Sequence, residues 1–339
     1  MVQKDEVLKA LETVIDPDLK KDLVTLGMIQ DLVIEGSLVS LRLVLTTPAC
    51  PFRGALEQEV KQAIRSVPGI TEVHLVTDAN VPQMSTLFQR SPLPGVRNII
   101  AIASGKGGVG KSASSVNIAS ALAQTGARVG LLDADIYGPS IPTMMGIHDS
   151  VEINMEREIV PIEQHGIKLV SFGFIAKDDI PIIWRGPLAS KAVRQFLKQV
   201  TWGELDYLVI DMPPGTGDVH LTLFQAVPLS GGVIVTTPQD VACADASRAL
   251  QMFKTLGVKV LGIIENMAGD VFGQGGGEKM SATYNVPFLG RIPLDSIVRE
   301  SADAGIPLTL YAPDHAVTKI FHDIAQRLAQ EVSKSALSP

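Results

Sequence analysis

The 339-residue sequence has only two cysteines, Cys50 and Cys243, and few aromatic residues, since Phe, Trp and Tyr make up 5% of it. Two cysteines cannot form the disulfide framework of a small secreted domain. Positive charge is also scarce, because 29 Lys and Arg against 36 Asp and Glu give a formal net charge of −7. A nucleic-acid-binding surface usually carries a concentrated basic patch, so we expect no nucleic-acid partner.

Long apolar runs are missing as well. No stretch of the sequence approaches the roughly 20 consecutive apolar residues that a membrane-spanning helix needs, so we expect no membrane partner. The first segment, MVQKDEVLKALETVID, has the pattern of a charged amphipathic helix rather than of a secretory signal. We therefore expect a cytoplasmic, globular protein, and its length allows about two domains.

Residues 1–80 are predicted to form a small α+β domain. Apolar residues recur at helical spacing in two segments and alternate along three others. In chain order the pattern predicts a helix before residue 16, strands over 28–34 and 38–45, a helix after Pro51 and a strand over 70–77. Residues 81–97 contain several prolines among polar residues and are predicted to be a linker to a second domain, residues 98–339.

The second domain opens with a predicted phosphate-binding loop. The apolar run Ile99–Ala103 has the length of a buried parallel strand, and Ser114–Ala123 has helical character. The intervening GKGGVGKS fits the pattern G-x-x-x-x-G-K-[ST], whose backbone amides and helix start favour phosphate. The candidate nucleotide-binding residues are Gly105, Lys106, Gly107, Gly108, Val109, Gly110, Lys111 and Ser112. In this pattern Lys111 reaches the β- and γ-phosphates of a nucleoside triphosphate, and the Ser112 hydroxyl binds Mg²⁺.

Acidic residues follow two of the later strands. Strands alternate with helices beyond residue 96, which is typical of a parallel sheet whose ligands lie at the carboxyl ends of the strands. Asp211 ends the apolar strand Tyr207–Ile210 and is predicted to hold Mg²⁺, with a turn or cap role as the alternative. Asp133 and Asp135 end a neighbouring strand, where a carboxylate can orient the attacking water or cap a turn. We assign the catalytic role to Asp135.

Three further segments of this domain carry expectations of their own. Gly215 and Gly217, just past Asp211, predict a loop that moves when the γ-phosphate leaves. Ser140–Gly146 is predicted to be a loop with exposed apolar residues, and residues 151–173 are predicted to form a β excursion.

Two residues allow contrasting interpretations. Lys106 is not needed for the phosphate cradle, so it is either a solvated surface charge or a group that neutralises transition-state charge in a second subunit. Cys50 stands before Pro51 at a predicted helix start, where the helix dipole would favour a reactive thiolate. The alternative for Cys50 is a small buried residue at the start of a helix.

Longer segments resemble a known family. GKGGVGKS is similar to the deviant P-loop of the class formed by MinD, ParA and the nitrogenase iron protein. The segments that resemble its Mrp/ApbC/Nbp35 branch are DADIYGPSIPTMMG, WRGP, DYLVIDMPPGTGD, TTPQD, ENM, FGQGGGEK and PFLGRIPLD. The first domain, with DPDLKKDLVTLGMI and TTPACP, resembles the MIP18-like domain of iron–sulfur assembly factors. The implied fold class is α/β, a parallel-sheet P-loop NTPase with a small N-terminal α+β domain.

The resemblance implies an ATP-hydrolysing carrier that binds an iron–sulfur cluster and passes it to apoproteins. It implies a homodimer with ATP and Mg²⁺ between the subunits, and iron–sulfur assembly proteins and apoprotein clients as partners. Lys106, together with Lys111 and Asp135 in the catalytic set, would then reach across to the other subunit. Asn266 and Pro293 fall where the family contacts adenine.

One departure from the family affects the cluster. Many members carry a Cys-x-x-Cys pair after the ENM segment, whereas Ala268–Gly277 contains no cysteine. A [4Fe–4S] cluster usually takes four thiolates. We assign Cys50 as the iron–sulfur ligand, with an outside thiol or a partner protein completing the shell, and Cys243 as a small packed residue. The missing pair favours an alternative, a MinD/ParA-like ATP-gated dimeric switch that recruits a protein partner without a cluster. A third candidate, a reductase like the nitrogenase iron protein, needs a permanent cluster.

Overall fold

Alternating apolar residues in the first part of the chain produce the predicted α-β-β-α-β order. The bounds are α1 Lys4–Leu11, β1 Ile29–Glu35, β2 Leu38–Leu45, α2 Arg53–Arg65 and β3 Glu72–Ala79. β1 pairs with β2 in antiparallel fashion, and β3 lies parallel to β2 on its other side. Every second residue of β2 from Val39 to Leu45 is buried, and these side chains pack with apolar residues of α1 and α2. The period of two therefore places one face of the sheet against both helices.

The computed structural model describes residues 2–81, 92–174, 192–194, 196–197 and 199–337. Most of the predicted linker and the WRGP segment, residues 184–187, lie outside these ranges. By packing, the chain divides into two units, one of residues 1–83 and 329–339 and one of residues 84–328. The predicted division at residues 80 and 97 stays a prediction.

Apolar strands separated by helices build a large sheet in the second unit. Its described strands are β4 Val96–Ser104, β5 Val129–Asp133, β8 Ile162–Gln164, β9 Ile167–Ser171, β10 Leu205–Asp211, β11 Gly231–Thr236, β12 Val260–Ala268 and β13 Phe288–Pro293. They lie in the order β13-β12-β11-β4-β10-β5-β9-β8, and all neighbours are parallel except β8 and β9. β5, β10 and β11 are buried along their whole length, as expected for parallel strands covered on both faces.

The described helices of this unit follow the strands in chain order. They are α3 Lys111–Gln124, α4 Ile141–Met144, α5 Asp218–Ala226, α6 Asp240–Thr255, α7 Gly276–Tyr284, α8 Ser296–Asp303, α9 Leu308–Tyr311 and α10 Ala316–Leu337, of which residues 329–337 belong to the first unit. The chain leaves β4 toward β5 on one side and reaches β11 on the other, so the order of the sheet reverses at β4. Such a switch point opens a crevice at the carboxyl ends of the strands, where ligands bind.

Two segments differ from expectation. The predicted exposed loop at Ser140–Gly146 is wrong, because it contains the short helix α4 with Ile141 and Met145 fully buried. Pro142 suits the first turn of a helix, and the spacing of four residues turns both apolar side chains to one side. Residues 151–173 are β structure, with β6 Glu152–Ile153 and β7 Ile159–Val160 forming a separate hairpin. β9 is no excursion, since it lies beside β5 in the main sheet.

The last helix, α10, is amphipathic. Its buried residues Val317, Phe321, Ile324 and Leu328 recur every three or four positions, so they share one face. No helix in the described ranges is both long and apolar enough to cross a membrane.

Candidate nucleotide site

The loop between β4 and α3 depends on glycine at two positions. At Gly105 a Cβ atom would collide with the backbone of Asp245 in α6, so a side chain there would separate the loop from that helix. Gly110 has φ +80° and would meet the side-chain amide of Asn266. A residue with a side chain is strained at such a positive φ. The absence of a side chain at Gly105 and Gly110 therefore allows the loop to approach α6 and Asn266 closely.

Asn266 supports the same loop from the adjacent strand. It lies in β12 with 7% of its surface exposed, and its Nδ2 donates a hydrogen bond of 2.8 Å to the carbonyl of Val109. Pro293 ends β13, where it pairs with Ala268 of β12. The two predicted adenine contacts thus lie on neighbouring strands, and contact with adenine stays a prediction for both.

Lys111 lies at the centre of a buried network. Its Nζ is 2.6 Å from Asp211 Oδ2 and 3.8 Å from Asp135 Oδ2, and only 6% of its side chain is exposed. Asp211 is fully buried and also accepts hydrogen bonds from Ser112 Oγ at 2.7 Å and Ser115 Oγ at 2.6 Å. The fold therefore brings Asp211 to Lys111 and Ser112, which lie about 100 positions earlier in the sequence. Ser115 was not predicted, although its position three residues after Ser112 on a helix places it on the same face.

Asp133 and Asp135 differ in the use of their carboxylates. Asp133 is fully buried and accepts hydrogen bonds from Ser171 Oγ at 2.9 Å and from the Ile141 amide at 3.3 Å. Burial, together with the nearby charge of Asp211, raises the pKa of Asp133 to about 7. These bonds match the cap alternative for Asp133. Asp135 keeps one carboxylate oxygen, Oδ1, buried and without a hydrogen-bond partner among the described residues.

A cavity of about 260 Å³ lies against the loop. Its described lining includes Lys106, Lys111, Ser112, Asp135 and Pro214. Burial raises the pKa of Asp135, and the charge of Lys111 opposes that shift. Oxygen donors such as the Ser112 hydroxyl and the Asp211 carboxylate are the ligands that Mg²⁺ prefers, so these residues fit a magnesium ion bound with a nucleotide.

Lys106 is half-buried on the same cavity wall. Ser104 Oγ donates a 2.9 Å hydrogen bond to its carbonyl, which fixes its backbone. Within the described ranges, no carboxylate forms an ion pair with its ammonium group. Its positive charge is therefore not neutralised by an ion pair in this part of the chain.

A larger cavity of about 310 Å³ lies elsewhere in the same unit. Its described lining contains Leu93, Leu197, Trp202 and other uncharged residues. Because that lining holds no titratable group, we place the chemistry at the smaller cavity beside the glycine loop.

The segment that lacks the Cys-x-x-Cys pair forms a closed turn. Gly269 and Gly273 exchange two backbone hydrogen bonds of 2.9 and 2.7 Å. The buried carboxylate of Glu265 accepts hydrogen bonds from the amides of Gly275 at 3.0 Å and Gly277 at 2.7 Å, and it pairs with Arg291 Nε at 2.6 Å. A side-chain carboxylate therefore satisfies the start of α7. Glu265 and Arg291 were not predicted, because they lie 26 positions apart and their contact depends on β12 and β13 being neighbours.

Of the two interpretations of Cys50, the structure favours the small buried residue over the reactive thiolate. Helix α2 begins at Arg53, so Cys50 precedes its first turn instead of lying within it. Burial raises the pKa of the Cys50 thiol, and the charges of Asp16 and Asp18 raise it further. Burial likewise raises the pKa of Cys243, whose Sγ lies 3.5 Å from the carbonyl of Thr237. In the described part of the chain, no three His, Cys, Asp or Glu side chains group as metal ligands.

A parallel sheet that reverses at β4, a glycine loop leading into α3, and the convergence of Lys111, Ser112 and Asp211 define a P-loop nucleoside triphosphatase. The family model of ParA-type proteins, described as NUBPL iron-transfer P-loop NTPase, matches residues 95–329. A second family model, described as iron–sulfur cluster assembly protein, matches residues 4–75. The chain belongs to the family of iron-transfer P-loop NTPases and is an ATPase.

Known proteins of this type align with most of the chain. The iron–sulfur cluster carrier protein of Synechocystis sp. is 51% identical, covering 99% of this chain and 100% of its own. A nucleotide-binding protein of Archaeoglobus fulgidus, solved in complex with ADP, is 38% identical with a TM-score of 0.57 and covers 66% of this chain and 91% of its own. The cell-division ATPase MinD of Pyrococcus furiosus shares the fold at 24% identity and a TM-score of 0.56, over 68% of this chain and 97% of its own.

Proposed function

We propose that the protein is a homodimeric, ATP-hydrolysing carrier that binds iron–sulfur clusters and transfers them to apoproteins. The proposed binding and hydrolysis of ATP rest on the convergence of Lys111, Ser112 and Asp211 beside the glycine-loop cavity. The relatives named as cluster carriers match this chain over almost its full length. This alignment supports iron–sulfur clusters as the cargo of this chain. We further propose a cytoplasmic location, which two free cysteines support because thiols stay reduced there.

Each residue of the site has a proposed task in hydrolysis. The amides of residues 105–110 hold the phosphates, and Lys111 exchanges its bond to Asp211 for the β- and γ-phosphates. Ser112 and Asp211 hold Mg²⁺, which when bound neutralises the charge that develops on the phosphate oxygens. Asp135, whose Oδ1 has no hydrogen-bond partner among the described residues, orients the attacking water.

Exposed apolar side chains support the proposed homodimer. Tyr137, Leu221, Val241 and Val271 are exposed by 63%, 41%, 69% and 73%, and they follow β5, β10, β11 and β12 respectively. The carboxyl ends of parallel strands meet at one edge of a sheet, so these side chains lie toward the edge that carries the nucleotide site. Apolar surface in contact with water favours a partner. We propose that a second copy covers this edge and that its Lys106 reaches the bound triphosphate.

The cluster is the cargo, and its ligands are proposed to come from more than one chain. No set of metal ligands is assembled within the described part of one chain, and a [4Fe–4S] cluster usually takes four thiolates. Both cysteines are half-buried, but the Sγ of Cys243 already donates a 3.5 Å hydrogen bond to the Thr237 carbonyl, so Cys50 is the proposed contribution of this chain. A partner protein or an added thiol completes the shell.

Anaerobic reconstitution tests the cargo. Iron and sulfide per chain are measured in the wild type, in Cys50→Ala and in the matched control Cys243→Ala, followed by transfer to an apoprotein that accepts a [4Fe–4S] cluster. We expect transferable cluster in the wild type and the control and its loss in Cys50→Ala. Equal retention in all three proteins would exclude the role of Cys50.

The closed, cysteine-free turn at Gly269–Gly277 favours a second candidate function. In this alternative, the ATP-gated dimer recruits a protein partner and holds no cluster. A protein that dimerises with ATP and hydrolyses it, yet never retains iron under reducing conditions, would support this switch over the carrier.

A further inference from the structure

His220 is a buried imidazole that the tasks above do not use. It lies in the first turn of α5, and 1% of its surface is exposed. Neither Nδ1 nor Nε2 makes a hydrogen bond to any residue in the described ranges. Burial lowers the pKa of His220 to about 4, so the ring is uncharged at neutral pH and has one donor and one acceptor nitrogen.

The ring lies beside the loop that follows Asp211, residues 212–217. The backbones of Pro213 and Gly217 are its polar neighbours, although neither gives a hydrogen bond of good geometry, and Lys111 is close enough for its charge to affect the ring. The same loop touches the end of β4, because the Gly215 amide donates a 3.0 Å hydrogen bond to the Ser104 carbonyl. The loop thus connects Asp211, the glycine loop and His220.

Buried polar groups are almost always hydrogen-bonded, and an exception requires a reason. Asp211, nine positions earlier in the chain, accepts hydrogen bonds from Lys111, Ser112 and Ser115. The contrast shows that this part of the fold can satisfy a buried polar side chain. Local rules are broken most often at functional sites. A buried ring with no hydrogen-bond partner in the described ranges destabilises the present arrangement of the loop.

We propose that His220 is a positioning residue for ATP hydrolysis, which gains a hydrogen bond from its ring to the backbone of loop 212–217 when nucleotide is bound. The bond holds the loop in the arrangement that aligns Asp211 and the attacking water. The inference rests on the proposed roles of Asp211 and the glycine loop. It assigns His220 no contact with substrate.

Two variants and one control test this inference. His220→Leu removes both nitrogens at similar size, His220→Gln keeps a donor and an acceptor, and Leu223→Val weakens packing of the same helix away from the loop. For each protein, kcat, the Kd for ATP and the thermal midpoint without nucleotide are measured.

For His220→Leu we expect an unchanged or higher midpoint, an ATP Kd within about twofold of the wild type, and a kcat at least about tenfold lower. His220→Gln should recover most of the lost kcat. Leu223→Val should lower the midpoint and leave kcat unchanged.

A wild-type kcat in His220→Leu would overturn this inference and leave the proposed use of the nucleotide site standing. So would a fall in its midpoint or a failure to fold, because the imidazole would then stabilise the resting structure. Wild-type protein that hydrolyses no ATP would instead overturn the proposed use of the whole site.

Discussion

At the scale of single residues, the nucleotide site is a group of buried charges around one lysine. Lys111 pairs with Asp211 and lies near Asp135, while Asp133 is enclosed behind them. Burying a carboxylate favours its neutral form unless a positive charge compensates. Burial raises the pKa values of Asp133 and Asp135, the charge of Asp211 raises them further, and the single charge of Lys111 does not offset these effects.

The stability of the nucleotide-free protein should therefore depend on Asp133. Its pKa is about 7 in the folded protein, against an ordinary value of 3.8 for an aspartate. The folded state then binds its proton more tightly, so the stabilisation is fully present below pH 3.8 and is lost as the pH rises through 7. Urea unfolding between pH 4 and pH 8 should show a smaller loss of stability with rising pH in Asp133→Asn than in the wild type.

The comparison with Asp133→Asn is needed because His220 acts in the opposite direction. Its pKa is lowered to about 4 from 6.5, so its contribution grows as the pH rises through that range. An identical pH dependence in Asp133→Asn and the wild type would contradict the assignment to Asp133.

Lys106 should be needed for turnover and not for binding. Its ammonium group lines the cavity wall and has no ion-pair partner among the described residues. A charge supplied across a dimer interface is worth about 10³-fold or more in hydrolysis. We expect Lys106→Ala to bind ATP within about twofold of the wild type and to lose turnover by about that factor. Exposed Lys319→Ala is the control, and unchanged turnover in Lys106→Ala would place Lys106 among ordinary surface charges.

At the scale of elements, the glycine loop depends on its packing against α6 as much as on its own conformation. Gly105 has no room for a side chain because the backbone of Asp245 occupies that space, whereas Gly108 faces open space at φ +79°. The two glycines are therefore required for different reasons. Gly105 is required because α6 leaves no space for a side chain, and Gly108 is required because its φ angle is positive.

Substitution by alanine should separate these two reasons. Gly108→Ala carries only the local strain, about 1 kcal/mol of unfolding free energy. Gly105→Ala forces the loop away from α6 and should cost more than about 3 kcal/mol and abolish ATP binding. Urea unfolding and nucleotide titration measure both effects. Equal losses in the two variants would contradict the packing argument.

Elements whose signal lies in consecutive residues could be predicted from the sequence. The loop from Gly105 to Ser112 and the strand that ends at Asp211 are confirmed, because strand, glycines and helix follow one another directly. Helix α4 was missed because burial against other elements decides its structure, and β9 because a short apolar strand does not reveal its neighbours. The roles of Glu265 and His220 depend on contacts between distant segments. The sequence left two interpretations of Cys50 open, and the start of α2 at Arg53, three residues later, disfavours the reactive thiolate.

At the scale of the whole molecule, the proposed dimer explains why apolar side chains are exposed at the edge that carries the nucleotide site. Val241, in the first turn of α6, is exposed by 69%. A carboxylate at this position should oppose burial in an interface, at a cost of several kcal/mol if it stays unpaired. We expect Val241→Asp to remain monomeric with ATP in analytical ultracentrifugation, while the wild type and the control Val33→Asp in the first unit dimerise. Dimerisation of Val241→Asp with wild-type affinity would exclude this edge as the interface.

The most direct test of the shared site mixes two inactive proteins. Lys106→Ala keeps a complete glycine loop and lacks the lysine for its partner, whereas Lys111→Ala supplies Lys106 and cannot use its own nucleotide. Each alone should hydrolyse almost no ATP. Random mixing of equal amounts should restore about a quarter of the wild-type rate, because half the dimers have one complete site of two. A mixture as inactive as its components, although mixed dimers form, would contradict the proposal that the two subunits build the active site together.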